Sequence, residues 1–206
     1  MNWLYWGVIK TFKFLFTIFY RLKVEGKHHL KKGGGLVVAN HVSYLDPAAI
    51  ASSMKEEIHF LARKTLFKGF FSWFFPRVNV HPVDPKMSNL QVFKDICRLI
   101  NEGKKVLIFP EGTRSIDGKL QQLQTGVAFI LSRTKSSFFP VYIDGMHHMW
   151  SRGRKTPKIF GRVKVVFGKP IVWEELEGRG KEKQKLAMEM LEKTFIELQK
   201  QSEQKS

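Results

Sequence analysis

A histidine and an aspartate stand five residues apart in the segment 40–46, a spacing that is suited to acid–base chemistry. If the Asp46 carboxylate accepts a hydrogen bond from one ring nitrogen of His41, the other ring nitrogen becomes a competent general base. The alternative is structural, with Asp46 capping the helix that follows and His41 lining a loop. A histidine and an aspartate at this spacing are more often structural when no other polar residues accompany them. The choice between the two roles therefore depends on the rest of the sequence.

A second polar segment, Glu111–Arg114, has the side chains expected of an anion site. The Arg114 guanidinium can bind a phosphate through two parallel charge-assisted hydrogen bonds. Gly112 permits a sharp turn, and Thr113 adds a hydroxyl. Glu111 is expected to hold Arg114 or a neighbouring backbone group. Alone, this segment also fits an ordinary charged turn; beside the histidine and aspartate it completes a base, an orienting carboxylate and an anion clamp.

Both polar segments follow apolar runs, which predict buried strands at Leu36–Ala39 and Val106–Phe109. Asp46 and Pro47 then predict a helix start, with Asp46 as N-cap and Pro47 in the first helical position. If the two strands are parallel, their carboxyl ends open on one edge of the sheet and the polar segments meet there.

Strands and helices alternate along the chain, and 206 residues with 43% hydrophobic content suit one main core. We therefore predict a single α/β domain whose mostly parallel central sheet is flanked by helices, with an N-terminal amphipathic helix at a membrane interface. The expected divisions are the amphipathic helix at 1–22, the α/β domain at 23–175, and a C-terminal helix with a polar tail at 176–206. Further strands are expected at 58–62, 139–143 and 163–167, and further helices from Asp84-Pro85, at 124–132 and at 182–199.

The net charge of +17 predicts an anionic partner, either nucleic acid or anionic lipid. The aromatic residues cluster near the N-terminus and at 67–75 instead of interleaving with basic residues, so we expect lipid and no nucleic acid. The segment 67–75 fits core packing, a wall for an acyl chain, or a second membrane contact.

Cysteine and histidine usage argues against a metal or disulfide framework. The single cysteine, Cys97, excludes an internal disulfide and a cysteine-based zinc site, and fits a reducing compartment. His147 and His148 are adjacent, and in a strand such neighbours point to opposite faces, so no metal is expected there.

The first 22 residues form a helical pattern with one apolar face, which predicts attachment in the plane of the membrane. A spanning helix would hold Lys10 and Lys13 near the bilayer centre, at about 2.5–3.5 kcal/mol each. The alternatives are a helix packed on its own domain and a spanning segment. We expect a monotopic protein on the cytoplasmic face, with interface residues Trp3, Trp6, Lys10, Phe12, Lys13, Phe16 and Phe19.

Two motifs in this order and spacing resemble the glycerolipid acyltransferase family. They are Asn40-His41-x-Ser43-x-x-Asp46 and, later, Phe109-Pro110-Glu111-Gly112-Thr113-Arg114-Ser115. The segments 139–141 and 167–171 agree with further blocks of the family, so the resemblance covers roughly residues 22–172. It is strongest to members that acylate 1-acyl-glycerol-3-phosphate.

The resemblance implies transfer of a fatty acyl group from an acyl thioester, of CoA or acyl carrier protein, to the sn-2 hydroxyl of lysophosphatidic acid, giving phosphatidic acid. His41 would take the hydroxyl proton and Asp46 would hold the imidazole, with no acyl-enzyme and no cofactor or metal. Ser43 would be a turn residue and not a nucleophile. The acceptor phosphate would lie against Arg114, Arg63, Glu111, Gly112 and Thr113, and an anionic membrane surface would be a further partner.

The chain departs from the family pattern at Thr65, where Glu is usual, and at Pro85, where Arg is usual. The lost arginine leaves the phosphate geometry open, and Lys86 or Arg77 are candidates to replace it. Glycerol-3-phosphate or another lysophospholipid is the alternative acceptor. A basic lipid- or nucleic-acid-binding protein without catalysis is the alternative of a different class.

Overall fold

The computed structural model describes residues 2–84 and 89–204. Its helices are α1 Trp3–Phe19, α2 Asp46–Ser53, α3 Phe70–Arg77, α4 Asn89–Asn101, α5 Gly126–Thr134, α6 Met146–Trp150 and α7 Gly180–Gln204. Its strands are β1 Lys23–Glu25, β2 Gly35–Ala39, β3 Ile58–Arg63, β4 Val80–Val83, β5 Lys105–Ile108, β6 Ser137–Asp144, β7 Lys164–Phe167 and β8 Ile171–Val172. The helix start predicted at Asp84-Pro85 and the candidate ligand Lys86 involve residues 85–88, outside the described residues.

The strands form one sheet in the order β1-β7-β6-β2-β5-β3-β4, with β8 also paired to β6. Along the series β6-β2-β5-β3-β4 each strand runs parallel to the next, whereas β7 and β8 run antiparallel to β6. The predicted single α/β domain with a mostly parallel sheet is confirmed.

Helices cover both faces of this sheet, and alternation along β2 shows how. Leu36 and Val38 point into a cluster with α4, α5 and α7, while Val37 and Ala39 point into a second cluster with α1 and α2. Because strand side chains alternate between faces, a strand buried on both sides is apolar throughout. β2 therefore lies in the interior of the molecule, between the two clusters.

The N-terminal helix α1 packs against α2 and contributes Tyr5, Ile9 and Phe16 to the core. The backbone N–H of Ile58 donates to the Tyr5 hydroxyl at 3.1 Å, and burial raises the pKa of Tyr5 to about 12. Phe16 is only 2% exposed, so its prediction as a membrane-interface residue is wrong. It lies on the side of α1 that packs, together with α2, against one face of the sheet.

A second apolar stripe of α1 points outward, formed by Trp3, Phe14 and Ile18, which are 80%, 63% and 51% exposed. Lys10 and Lys13 are also exposed, while Trp6, Phe12 and Phe19 are half-buried against the core. The helix is thus apolar on two sides. One side packs against the protein core, and the other is exposed at the surface. Within the described residues, no helix is both long enough and apolar enough to span a membrane.

The aromatic segment at 67–75 overlaps α3, which has no fully buried residue. Phe70, Phe71 and Trp73 are each about half exposed or more, at 64%, 49% and 50%. Core packing, one of the three alternatives for this segment, therefore does not describe these three side chains. The side-chain amide of Asn2 donates to the Arg77 carbonyl, which joins the start of α1 to the end of α3.

Candidate active site

The two polar segments meet at one edge of the sheet, as predicted. They follow β2 and β5, which are parallel neighbours with Val38 paired to Ile108. The Ser115 N–H donates to the His41 carbonyl at 2.8 Å, which ties the second segment to the first. The parallel register thus brings both sets of side chains to the same sheet edge.

His41 and Asp46 form a hydrogen-bonded pair, with 2.8 Å between the imidazole Nδ1 and the carboxylate Oδ2. The same Oδ2 accepts from the backbone N–H groups of Val42 and Ser43, both at 2.7 Å. With Nδ1 directed at a carboxylate, the tautomer that donates from Nδ1 leaves Nε2 with a lone pair. Nε2 forms no hydrogen bond within the described residues, so it is available to a substrate.

Asp46 is fully buried, and burial raises the pKa of its carboxyl group, against the opposing effect of its hydrogen bonds to His41 and the turn. Its Oδ1 has no hydrogen-bond partner among the described residues. The predicted N-cap role is wrong, because α2 begins at Asp46 itself and Leu45 is the N-cap. The carboxylate turns back to the preceding turn instead of forward to the helix.

The ring of Phe109 stacks on His41, with 3.8 Å between centroids and 12° between planes. No pattern in the sequence indicates this contact, although Phe109 occupies the last position of the predicted apolar run.

Asn40, to which the sequence assigned no role, holds the neighbouring strand: its amide donates to the Ile143 carbonyl at 3.0 Å and its oxygen accepts from the Ile143 N–H at 2.7 Å. Ser43 is buried, and its hydroxyl accepts from the Leu45 N–H at 3.2 Å, as expected of a turn residue.

Glu111 supports the histidine turn and does not contact Arg114. One carboxylate oxygen accepts from the His41 N–H at 2.6 Å, and the other accepts from the Gln121 N–H at 2.8 Å. The side chain is buried, and burial raises the pKa of its carboxyl group. A phosphate-binding role for Glu111 is therefore wrong, because both oxygens are already used and their charge would repel a phosphate. Its expected alternative role, holding a neighbouring backbone, fits the contacts.

Gly112 has a φ of +70°, so the turn uses a backbone conformation that favours glycine. A Cβ atom there would lie 2.3 Å from the Gln124 side-chain nitrogen. Thr113 is exposed, and its hydroxyl accepts from the Arg152 guanidinium at 3.2 Å. Arg152 was not identified from the sequence, because it lies in a basic loop with no motif of its own.

Arg114 lies over the ring of Tyr44, with 3.4 Å between the guanidinium carbon and the ring centroid. Its Nη1 is buried and has no hydrogen-bond partner among the described residues. A buried cationic nitrogen without a partner is costly, and an anion would satisfy it.

A cavity of about 620 Å³ opens beside His41, between the ends of β3 and β5 and the helices α4 and α5. We call it the His41 cavity. Its lining includes His41, Arg63, Gly112 and Gln124; most of the other lining side chains are apolar, among them Phe60, Leu61, Val92, Phe93, Ile96, Leu107, Ile108, Phe109, Val127 and Ile130. None of the α3 residues lines it. Its volume is typical of sites for small molecules and cofactors.

Arg63 lines the His41 cavity and is exposed, at the end of β3. Among the described residues no hydrogen bond or ring contact joins it to Arg114, whose guanidinium lies over the Tyr44 ring in the turn that follows β2. Arg77 ends α3 just before β4 begins, so it lies toward the opposite, amino edge of the sheet, with its guanidinium over the Trp73 ring at 4.5 Å. A phosphate-binding role for Arg63 stays a prediction, and Arg77 is not placed to replace the arginine expected at Pro85.

His147 and His148 lie in α6 and not in a strand, which corrects the structural reason given against a metal there. His147 Nε2 lies 3.0 Å from the Ile116 carbonyl. In the part of the chain that is described, no group of three or more histidine, cysteine or carboxylate side chains is placed to hold a metal ion.

Residues 21–144 match the model of the Acyltransferase family. Over 159 residues the chain is 28% identical to the chloroplastic 1-acyl-sn-glycerol-3-phosphate acyltransferase LPAT1 of Arabidopsis thaliana, covering 74% of this chain and 44% of the relative. Over 153 residues it is 28% identical to the 1-acyl-sn-glycerol-3-phosphate acyltransferase of Bacillus subtilis, covering 73% of each. The chain thus spans under half the length of the plant relative.

The fold is similar to the crystal structure of the 1-acyl-sn-glycerophosphate (LPA) acyltransferase PlsC from Thermotoga maritima. The TM-score is 0.73 at 25% sequence identity, and the match covers 95% of this chain and 78% of that one.

Proposed function

Since this chain belongs to the acyltransferase family, we propose that it transfers a fatty acyl group from a thioester to the sn-2 hydroxyl of 1-acyl-glycerol-3-phosphate. The observation that carries this proposal is the His41–Asp46 pair, whose histidine lines a mostly apolar cavity, with Arg114 at the same sheet edge and without an ion-pair partner among the described residues. Two relatives similar in sequence and one solved structure similar in fold carry the name of this activity.

The reaction we propose is a direct transfer. His41 Nε2 takes the proton of the acceptor hydroxyl while the hydroxyl oxygen attacks the thioester carbonyl carbon. The carbon–sulfur bond then breaks, and the imidazolium returns the proton to the leaving thiolate. Asp46 fixes the imidazole and stabilises its protonated form in the transition state. No residue is acylated, in keeping with the buried Ser43 hydroxyl.

The two substrates have separate features to bind them. The apolar lining of the His41 cavity suits the acyl chain of the donor, with the thioester at its mouth beside His41. The Arg114 guanidinium suits the phosphate of the acceptor, whose oxygens would accept a hydrogen bond from the buried Nη1. The acyl donor, whether CoA or acyl carrier protein, is an acidic molecule that the net charge of +17 attracts.

We place the protein on the cytoplasmic face of a membrane, lying in the interface. The hydrogen bond from Asn2 to the Arg77 carbonyl joins the start of α1, where Trp3 is exposed, to the end of α3, whose aromatic side chains are also exposed. Lys10 and Lys13 are exposed beside the α1 stripe, where anionic headgroups would meet them. An acceptor with one long acyl chain would reach the site from that surface.

The test is an assay of purified protein with lysophosphatidic acid and an acyl-CoA, which follows free thiol and labelled phosphatidic acid. The His41→Gln variant should lose turnover by about 10³-fold or more and stay folded, because the general base is removed. His148→Gln is the matched control, since His148 is exposed and outside the site. Near-normal turnover by His41→Gln would contradict the general-base role. Turnover with glycerol-3-phosphate and not with lysophosphatidic acid would show that glycerol-3-phosphate is the acceptor.

A further inference from the structure

Arg114 has unmet hydrogen-bonding capacity. Its guanidinium carbon lies 3.4 Å above the Tyr44 ring, and its buried Nη1 has no hydrogen-bond partner among the described residues. Within the same residues it forms no ion pair, although burial of a cation favours an opposite charge. The ring supports one face of the guanidinium, and an anion at its edge would supply the partner that Nη1 lacks.

A second guanidinium reaches the same turn from a different part of the chain. Arg152 Nη1 donates to the Thr113 hydroxyl at 3.2 Å, one residue before Arg114. Arg152 is exposed, and within the described residues it also forms no ion pair. Arg152 is thus held at the residue that precedes Arg114, and neither arginine has a counter-charge among the described residues.

The segment that carries Arg152 is anchored to the active-site turn through aromatic contacts. The Trp150 ring packs on Tyr44 with 5.1 Å between centroids, so Tyr44 contacts both Trp150 and the Arg114 guanidinium. The Trp150 indole N–H donates to the Arg154 carbonyl at 3.0 Å, which closes the loop around Arg152. The position of Arg152 is thus coupled to the residue on which Arg114 rests.

We propose that Arg152 is a second ligand of the acceptor phosphate and completes a two-arginine clamp with Arg114. A phosphate monoester carries up to two negative charges, which two guanidinium groups match in charge and in planar geometry. The Thr113 hydroxyl, which accepts from Arg152, is free to donate a further hydrogen bond to the phosphate. This inference rests on the proposed function, because it names the group that selects the phosphorylated acceptor.

The experiment compares Arg152→Gln, Arg114→Gln and the double variant with the wild type. Arg152→Gln should raise the KM for lysophosphatidic acid about tenfold or more and leave kcat nearly unchanged, and Arg152→Lys should recover part of the loss. The two losses should combine less than multiplicatively, because both residues hold one phosphate. Arg179→Gln removes the same charge at an exposed position outside the site and should have no effect.

A binding measurement separates this inference from the proposed reaction. Lysophosphatidic acid should raise the thermal stability of the wild type, and Arg152→Gln should reduce this protection while Arg179→Gln keeps it. If Arg152→Gln binds and turns over lysophosphatidic acid as the wild type does, the clamp is wrong and the proposed function stands. If the wild type binds lysophosphatidic acid without turning it over, the proposed reaction fails, and loss of binding in Arg152→Gln still supports the clamp.

Discussion

The ring of Phe109 lies parallel to the imidazole of His41, 3.8 Å away between centroids, at the end of the neighbouring strand. The histidine is therefore restrained on one face by Phe109, at Nδ1 by Asp46 and at its backbone N–H by Glu111. These restraints fix the ring orientation before any substrate arrives. Pre-set geometry of this kind removes part of the entropy cost of reaching the transition state.

Asp46→Asn should lower kcat by about 10³–10⁴-fold, as loss of the orienting carboxylate does in serine proteases. The amide can still accept from the turn, but it carries no charge to stabilise the imidazolium. Saturating steady-state kinetics would measure the effect, with Asp95→Asn as control because Asp95 is partly exposed and pairs with Arg98 on the surface of α4. A kcat within threefold of the wild type would mean that Asp46 is structural.

Gly112→Ala should destabilise the protein by about 1–2 kcal/mol and lower kcat, because an L-residue is strained in this backbone conformation. The added Cβ would also displace Gln124, which lines the mouth of the His41 cavity. Gly7→Ala is the opposite case: α1 has open space there, and alanine should stabilise the helix by about 0.5–1 kcal/mol. Thermal unfolding of both variants would check the two signs, and equal shifts would contradict the argument.

His59 and His81 should make the protein less stable in mild acid. Their rings share a hydrogen bond of 2.8 Å across β3 and β4, and burial, with the charge of His81, lowers the pKa of His59 from 6.5 to about 4. Burial lowers the pKa of His81 as well. Because the unfolded chain binds these protons more readily, stability should fall by on the order of 1–3 kcal/mol as the pH drops from 6.5 to about 4.

The double variant His59→Leu/His81→Leu should flatten that dependence, since replacement of both partners leaves no unpaired polar group. Denaturant unfolding at several pH values between 4 and 7 would measure it, with His148→Leu as the control. An unchanged pH dependence in the double variant would assign the acid sensitivity to other groups.

Trp3→Ser/Phe14→Ser should weaken binding to vesicles of anionic phospholipid about tenfold or more, because burial of each large apolar side chain contributes about 1.5–3 kcal/mol. Met190→Ser/Ile196→Ser on α7 is the matched control, with side chains 40% and 50% exposed. Vesicle flotation at fixed salt would compare them. Equal loss from both pairs, or from neither, would remove the outward stripe of α1 as the membrane contact.

Part of this site follows from the sequence because its determinants are local. The apolar runs before His41 and Glu111 predict buried strands, and parallel pairing then brings the two turns together. The spacing of His41 and Asp46 likewise permits their contact inside one turn. These inferences need only strand periodicity and the reach of a side chain.

The errors concern residues whose role depends on distant packing. Phe16 is indistinguishable by sequence from its outward neighbours on α1, and only the position of α2 decides which stripe is buried. Glu111 looks like a partner for Arg114 along the chain, yet the parallel sheet presents it with the His41 N–H. Arg152 enters the site through a ring contact between Trp150 and Tyr44, which no local pattern encodes.

The Asn40 side chain joins β2 to Ile143, which lies 103 residues further along the chain. The turn that holds His41 is therefore attached to β6, a strand that lies much later in the chain. Contacts of such high separation are slow to close in folding. Before β6 docks, the acid–base pair lacks this support and the clamp residue Arg152 is not yet in place, so we expect transfer activity to appear as one of the last events of folding.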